Sequence, residues 1–398
     1  MDQSVMVLNQ SDTVWILVVT ALVFFMTMPG LALFYGGMVR SRNVINMFMQ
    51  CYAITCLMIV LWYVAGYSIA FGDDAGFWGG LDKMFLRGVT LDTVKGTVPE
   101  VLFFAFQMTF AIITPVIIVG ACAERVKFGF MLMFSGLWML LVYAPVAHWV
   151  WGAGLLADGG IFGAVGVKDF AGGLVVHETA GVAALMLAIV VGPRIDRSSG
   201  PHNPGMVMIG AAMLWVGWLG FNGGSTGVAN AQAAMALTVT LMAGAAASLS
   251  WLGWEYIKTG KCTLVGMVTG TLAGLAAITP ASGFVGPAYA LMIGAIAGMM
   301  CQEAVYFLRD KLGVDDSLDV FAVHGVGGIY GSLMIAPLGA ASWTAQLGGI
   351  AIIAGYTAVV TLIIIFFCKG VVGIRITEDL ETKGIDVIVH GQRAYELG

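Results

Sequence analysis

Eleven stretches of roughly 20 predominantly apolar residues follow one another along this chain, and that is the length a helix needs to cross the hydrocarbon core of a bilayer. They run near 12–37, 44–72, 98–123, 128–151, 172–193, 204–222, 231–257, 262–280, 285–308, 320–337 and 344–373. The expected fold is therefore an all-α membrane protein of eleven transmembrane helices. Composition agrees: of 398 residues, 59% are hydrophobic and only 10% charged, which exceeds what a water-soluble core requires. A net charge of -5 spread over loops offers no basic face to a nucleic acid. The first apolar run, Val14 to Tyr35, lacks a preceding basic region and is too long for the core of a signal peptide, so it is expected to stay as the first span. None of the six cysteines forms a C-x-x-C pair, and five lie in or beside apolar stretches, where they read as packing residues.

Lysine and arginine set the expected orientation, because short basic loops stay on the cytoplasmic side. Odd-numbered connections carry pairs: Arg40 and Arg42, Arg125 and Lys127, Arg194 and Arg197, Lys258 and Lys261, Arg309 and Lys311. Even-numbered connections hold only Lys83, Arg87, Lys95 and Lys168. With Lys369, Arg375, Lys383 and Arg393 near the C-terminus, the pattern gives an outside N-terminus, an inside C-terminus and an odd number of spans. The domain plan is a membrane domain over 1–373 and a cytoplasmic tail over 374–398.

Two of the five histidines, His177 and His324, sit inside long apolar segments. An imidazole stripped of water is costly in a bilayer, so its default reading is an inward-facing functional group. The surroundings of the two match. Valine precedes each, glycine follows four residues later (Gly181, Gly328), and an aspartate precedes each span (Asp169, Asp319). These are the fifth and tenth spans. A repeat of five helices makes its second copy enter from the opposite side, which predicts a 5+5 inverted repeat (about 12–193 and 204–337) with a site near the midplane. An eleventh helix, about 344–373, stands outside the repeat. Among the 55 glycines, some would let helices approach closely in lipid, and most need no role beyond packing.

Neutral imidazoles donate and accept hydrogen bonds in line, so two facing ones can guide a small polar molecule or relay a proton. A single membrane histidine is as often a tie between helices; two at matching positions favour function. His177-Glu178 begins like a zinc-protease helix, but Gly181 stands where H-E-x-x-H needs its second histidine. Glu178 points about 100° around the helix from His177 and is expected to bond a neighbouring helix. Trp151 ends the fourth span, Phe106 and Phe110 lie one turn apart in the third, and Phe221 and Ser225 close the sixth. Tryptophans at span ends are usually interfacial anchors, yet a π face beside a hydroxyl can also select a small cation.

Six stretches carry a resemblance: FQMTFA from Phe106, GACAER from Gly120, AHWVWG from Ala147, DFAGGLVVH from Asp169, WLGFNGGS from Trp218 and DVFAVHG from Asp319. Together they resemble the ammonium transporter (Amt/Mep/Rh) family, bacterial or archaeal Amt type, from Pro29 to the tail. The resemblance implies an eleven-helix protomer, a homotrimer with one pore per subunit, and passage of ammonium or methylammonium. It implies that Trp151, Phe110 and Ser225 recruit the cation, that Phe110 and Phe221 form a gate, and that His177 and His324 are the twin histidines of the pore. Asp169 is implied as a buried supporting acid, a role compatible with an N-cap.

The tail from Gly373 departs from membrane composition, and a charged tail is ordinarily a solvated face. Gly384 to Asp386 and His390 to Tyr395 resemble the family's regulatory C-terminus, which implies docking of a trimeric P-II signalling protein. A sensor built on the same fold is the main alternative function. A membrane enzyme is a distant third, because no nucleophile and base set or metal cluster is evident. Glu178 and the long loop from about Asp73 to Glu100 are where this chain departs from the family pattern.

Overall fold

A computed structural model of the chain describes residues 8–74, 76–197 and 200–396. Among these residues ten helices are long and apolar enough to cross a membrane: α1 Gln10–Met38, α2 Val44–Phe71, α3 Glu100–Cys122, α4 Phe128–Trp151, α5 Gly173–Val191, α6 Pro204–Gly224, α7 Ala231–Thr259, α9 Pro287–Lys311, α10 Phe321–Leu338 and α11 Trp343–Val372. The eleventh apolar helix, α8 Leu264–Ile278, has 15 residues. At 1.5 Å per residue it falls short of a bilayer core, and turns through Thr279, Ala281 and Phe284 extend it. The expected span at 262–280 is thus a shorter helix plus its turn. A two-strand ribbon, β1 Val94–Lys95 with β2 Val98–Pro99, leads into α3.

Burial separates an inner set from an outer set. In the best window of α5, 78% of residues are buried, against 28% in α11, so α5 runs through the middle while α11 lies on the flank. Helices α7, α8 and α9 approach closely through small residues. A methyl group at Gly274 or Gly294 would collide with the carbonyl of Ala243, the close backbone contact expected where van der Waals packing drives helix association.

The polar end of the bundle is organised around Glu124, which is 4% exposed and has a left-handed backbone, φ 71°. Its Oε1 accepts from the backbone and Nε of Arg40, both at 2.9 Å, and from Asn43 at 2.7 Å. Arg194 bridges Glu124 at 3.4 Å and Asp315 at 2.8 Å. Burial opposes ionisation of Glu124, yet the Arg40 amide and guanidinium and the Asn43 amide hold its pKa below the ordinary value.

The tail is solvated only in part: Glu378, Asp379, Lys383 and Arg393 are exposed, while Glu381 and Asp386 are buried. It forms α12 Glu378–Lys383 and α13 Asp386–His390 and packs onto the same end of the bundle. The Glu381 carboxylate accepts from Ile195 at 2.7 Å and from Arg375 at 2.9 Å. Asp386 caps α2 by accepting from the amides of Ile45 and Asn46 at 2.9 and 2.8 Å. Burial still raises the Asp386 pKa above its ordinary value, while the Asn46 and Ile45 amides act against it.

Removing the Glu124 charge would leave Arg40 and Arg194 buried without their shared partner. Glu124→Gln should cost about 3–5 kcal/mol, read as a lower thermal midpoint. A carboxylate whose folded pKa is depressed stabilises above its unfolded pKa, ordinarily 4.5, and loses that stabilisation as pH falls below it. The variant should therefore show a shallower acid loss than the parent protein.

Candidate functional site

Both histidine helices begin with an aspartate that collects free amides. The Asp169 Oδ1 accepts from Gly172 and Gly173 at 2.8 and 2.7 Å, and Oδ2 from Leu174 and Val175 at 2.8 and 3.0 Å. Four donors of the first turn of α5 are thereby satisfied by one carboxylate. Gly172, at φ 117°, makes the turn that brings them together. On α10 the counterpart is Asp316, whose Oδ2 accepts from Phe321 at 2.6 Å. It stands eight residues before His324, as Asp169 stands eight before His177. The expected match between Asp169 and Asp319 is therefore corrected. Asp319 lies too close to the start of α10 to reach its first-turn amides, and it lines two cavities at the tail end of the bundle instead. Burial and the neighbouring Asp316 push its carboxyl up to about 7.

The two imidazoles meet. Nδ1 of His177 and Nδ1 of His324 are 3.1 Å apart, with ring centroids at 5.1 Å and planes 29° from parallel. Glycine makes this possible: a side chain on Gly181 would run into the backbone of Gly325, and one on Gly328 would meet Cβ of His177 at 2.8 Å. The glycines spaced four residues from each histidine thus mark where α5 crosses α10. Trp218 stacks on His177 at 5.2 Å and 27°, and its indole donates to Thr279 at 2.7 Å. Trp218 and Thr279 were not singled out in the sequence. The available signal was a hydroxyl at the end of a short apolar helix and an indole one turn from Phe221.

Beside the pair runs a cavity of about 20 Å³ lined by His177, His324, Trp218, Phe221, Phe34, Tyr35, Thr269 and otherwise apolar side chains. That is space for about one water-sized molecule. Phe110 and Phe221 stack across its end away from the tail, with centroids 4.1 Å apart and planes 24° from parallel. Trp151 meets Phe110 edge-on at 5.9 Å, and its indole donates to the Asp169 carbonyl at 2.8 Å. Trp151 also lines an open recess of about 430 Å³ with Asp158, Lys168 and Phe170. The Ser225 hydroxyl, one turn beyond Phe221, donates to the Phe221 carbonyl at 2.8 Å and leaves its lone pairs free to accept. Trp151, Phe110, Phe221, His177 and His324 therefore form one continuous series of ring contacts, with Ser225 and Asp169 flanking it.

Glu178 departs from expectation. It is fully buried, but neither carboxyl oxygen has a hydrogen-bond partner among the described residues, so the expected bond to a neighbouring helix is absent. It does not line the cavity either. Among the described residues no group of three His, Cys, Asp or Glu side chains is arranged to hold a metal ion.

The Ammonium Transporter Family profile matches residues 14–395. The chain belongs to this family. It is 42% identical to a putative ammonium transporter of Methanothermobacter thermautotrophicus, covering 98% of this chain and 100% of that protein. An ammonium transporter of Bacillus subtilis is also 42% identical, over 98% of this chain and 99% of the relative. Among solved structures, Candida albicans Mep2 superposes with a TM-score of 0.84 at 32% identity, over 94% of this chain and 87% of that one. A sensor Amt protein gives 0.89 at 30% identity, over 96% and 98%. The chain is thus a multi-pass membrane protein of the ammonium transporter family.

Two substitutions test the packing of this transporter's centre. Glu178→Met keeps the volume and removes two unbonded buried oxygens, so it should stabilise by about 1–3 kcal/mol, seen as a higher thermal midpoint. Gly181→Ala forces α5 from α10 and should cost about 1–3 kcal/mol, together with loss of ammonium uptake in reconstituted vesicles.

Proposed function

We propose that this protein carries ammonium, and methylammonium, selectively across the membrane by recruiting the cation, removing a proton and passing the neutral molecule along the His177 and His324 pair. The observation that carries the reading is the direct imidazole contact beside a cavity for one small molecule, closed at one end by stacked phenylalanines. Trp151 and Phe110 offer π faces and Ser225 a hydroxyl acceptor to the arriving cation. Phe110 and Phe221 form the gate, and Asp169 fixes the start of α5 and, through its carbonyl, the Trp151 indole.

Ammonium and potassium are similar in size, but only ammonium can shed a proton and continue uncharged. A bare cation in the apolar constriction costs at least several kcal/mol, which opposes potassium. The proton released from nitrogen either returns to the side of origin or travels along the histidines. One Nδ1 donates to the other, so one ring presents an acceptor Nε2 and the other a donor Nε2, a polarity suited to holding a neutral amine or handing on a proton.

The reading extends to the whole assembly. Residues 12–193 and 204–337 act as inverted repeats, with α11 outside them, and residues 374–398 as a regulatory tail. The N-terminus faces outward and the tail the cytoplasm, in keeping with the lysine and arginine distribution. Three copies form a homotrimer, each with its own pore, and the docked tail offers a surface to a P-II protein. The likeness to a sensor Amt protein favours one second reading, ammonium sensing with little bulk transport.

Reconstitution in liposomes separates these. Transport predicts an ammonium-evoked current or internal pH change scaling with protein content, and a sensor predicts none. In the double variant His177→Ala, His324→Ala, the proton-coupled selectivity should be lost and potassium admitted. Unchanged ammonium current with potassium still excluded would discard the histidine mechanism. For the tail, purified P-II protein should bind the full chain and not a form ending at Gly373; equal binding would remove the tail from that role.

A further inference from the structure

The connection between α2 and α3 exposes a cluster of apolar side chains. Phe77, Trp78, Leu81 and Phe85 are 51, 45, 48 and 51% exposed, beside the exposed carboxylate of Asp82, while Lys83 turns inward. The Lys83 ammonium lies 3.0 Å from the Glu100 carboxylate, which also accepts from the Tyr67 hydroxyl at 2.9 Å, and 3.5 Å from Asp73. Exposing clustered aromatic side chains to water is unfavourable.

The loop is fixed to the bundle rather than left free. The Trp149 indole donates to the Phe77 carbonyl at 2.8 Å. The Phe77 ring meets Trp149 at 5.1 Å and Tyr356 at 5.8 Å, and the Phe85 ring meets Tyr63 at 5.8 Å. Phe85 and Leu86 both hold left-handed backbones, φ 56° and 55°, each at a cost of about 1–2 kcal/mol for a non-glycine residue. Tyr63 belongs to an exposed apolar stripe of the membrane-crossing α2 that includes Val60. The loop's apolar side chains therefore continue the flank that α2 presents to lipid.

We infer that residues 77–86 form a membrane-surface anchor, seated at the boundary of headgroups and acyl chains in the leaflet opposite the tail. Aromatic and aliphatic groups are stable at that depth, where tryptophan in particular is enriched. The internal pairing of Lys83 with Glu100 keeps that charge off the apolar side of the boundary, and the exposed Asp82 carboxylate is placed on the headgroup side. The occupant of this surface is the lipid of the surrounding bilayer, and the anchor restrains the loop beside the Trp149 end of α4.

The test uses a nitroxide label at Leu81→Cys or Phe85→Cys, one at a time, in full-length protein carrying Cys56→Ser and Cys262→Ser and reconstituted in phospholipid vesicles. Collision with oxygen, which concentrates in the bilayer, is compared with collision with a water-soluble nickel chelate. Labels at Val60→Cys and Asp379→Cys give the lipid and water references. Oxygen-dominated collision at both loop positions, near the Val60 value, is the expected result. Chelate-dominated collision near the Asp379 value overturns the anchor, and so does shielding from both reagents, which would mean a protein surface covers the loop. A label-free measurement guards against disturbed folding: the fluorescence lost in Trp78→Phe should be a component quenched by brominated lipid in the parent protein. An unquenched component likewise overturns the proposal.

Discussion

The contact between His177 and His324 is the constraint around which the rest of the structure is arranged. Two imidazoles 3.1 Å apart in the middle of a bundle require their helices to cross more closely than side chains normally allow. Gly181 against Gly325, and Gly328 against His177, supply that approach. An unpartnered ring nitrogen is costly in so apolar a setting, and the two rings satisfy one another at Nδ1.

The ends of the histidine helices hold this crossing in place. Asp169 gathers four amides of α5, and Asp316 caps α10, so both helices start at defined positions relative to their histidines. At the tail end, the Glu124, Arg40, Arg194 and Asp315 network ties α1, α3, α5 and the approach to α10 together. The tail joins that network through the Glu381 carbonyl, which accepts from Arg40, and the Ile385 amide, which donates to Asn43. The tail therefore bonds to residues that also position the ends of the two histidine helices.

Much of this was legible in the sequence because the bilayer makes the rules simple. Apolar runs of about 20 residues located ten of the spans, and the eleventh was found although its helix is shorter than the run suggested. The histidine pair was visible because polar residues are rare in such segments, and the two glycines spaced four residues on were visible because they recur. What escaped was detail set by backbone direction. Asp319 looked like the partner of Asp169 by proximity to its span, while the spacing of eight residues shared by Asp169 and Asp316 was the informative quantity. Glu178 was given a partner because buried carboxylates ordinarily have one, and periodicity cannot say what faces a side chain. The tail's charge density reads as a solvated face, whereas Glu381 and Asp386 also accept from the amides of Ile195 and Ile45, 186 and 341 residues away in sequence.

Nitrogen NMR on protein labelled with ¹⁵N-histidine tests the central claim most directly. An Nδ1–H···Nδ1 hydrogen bond between His177 and His324 predicts a through-bond coupling between two ring nitrogens, one protonated and one not, that disappears in His324→Ala. Two independent imidazole patterns in the parent protein, with no coupling and no change at His177 when His324 is removed, would contradict the account.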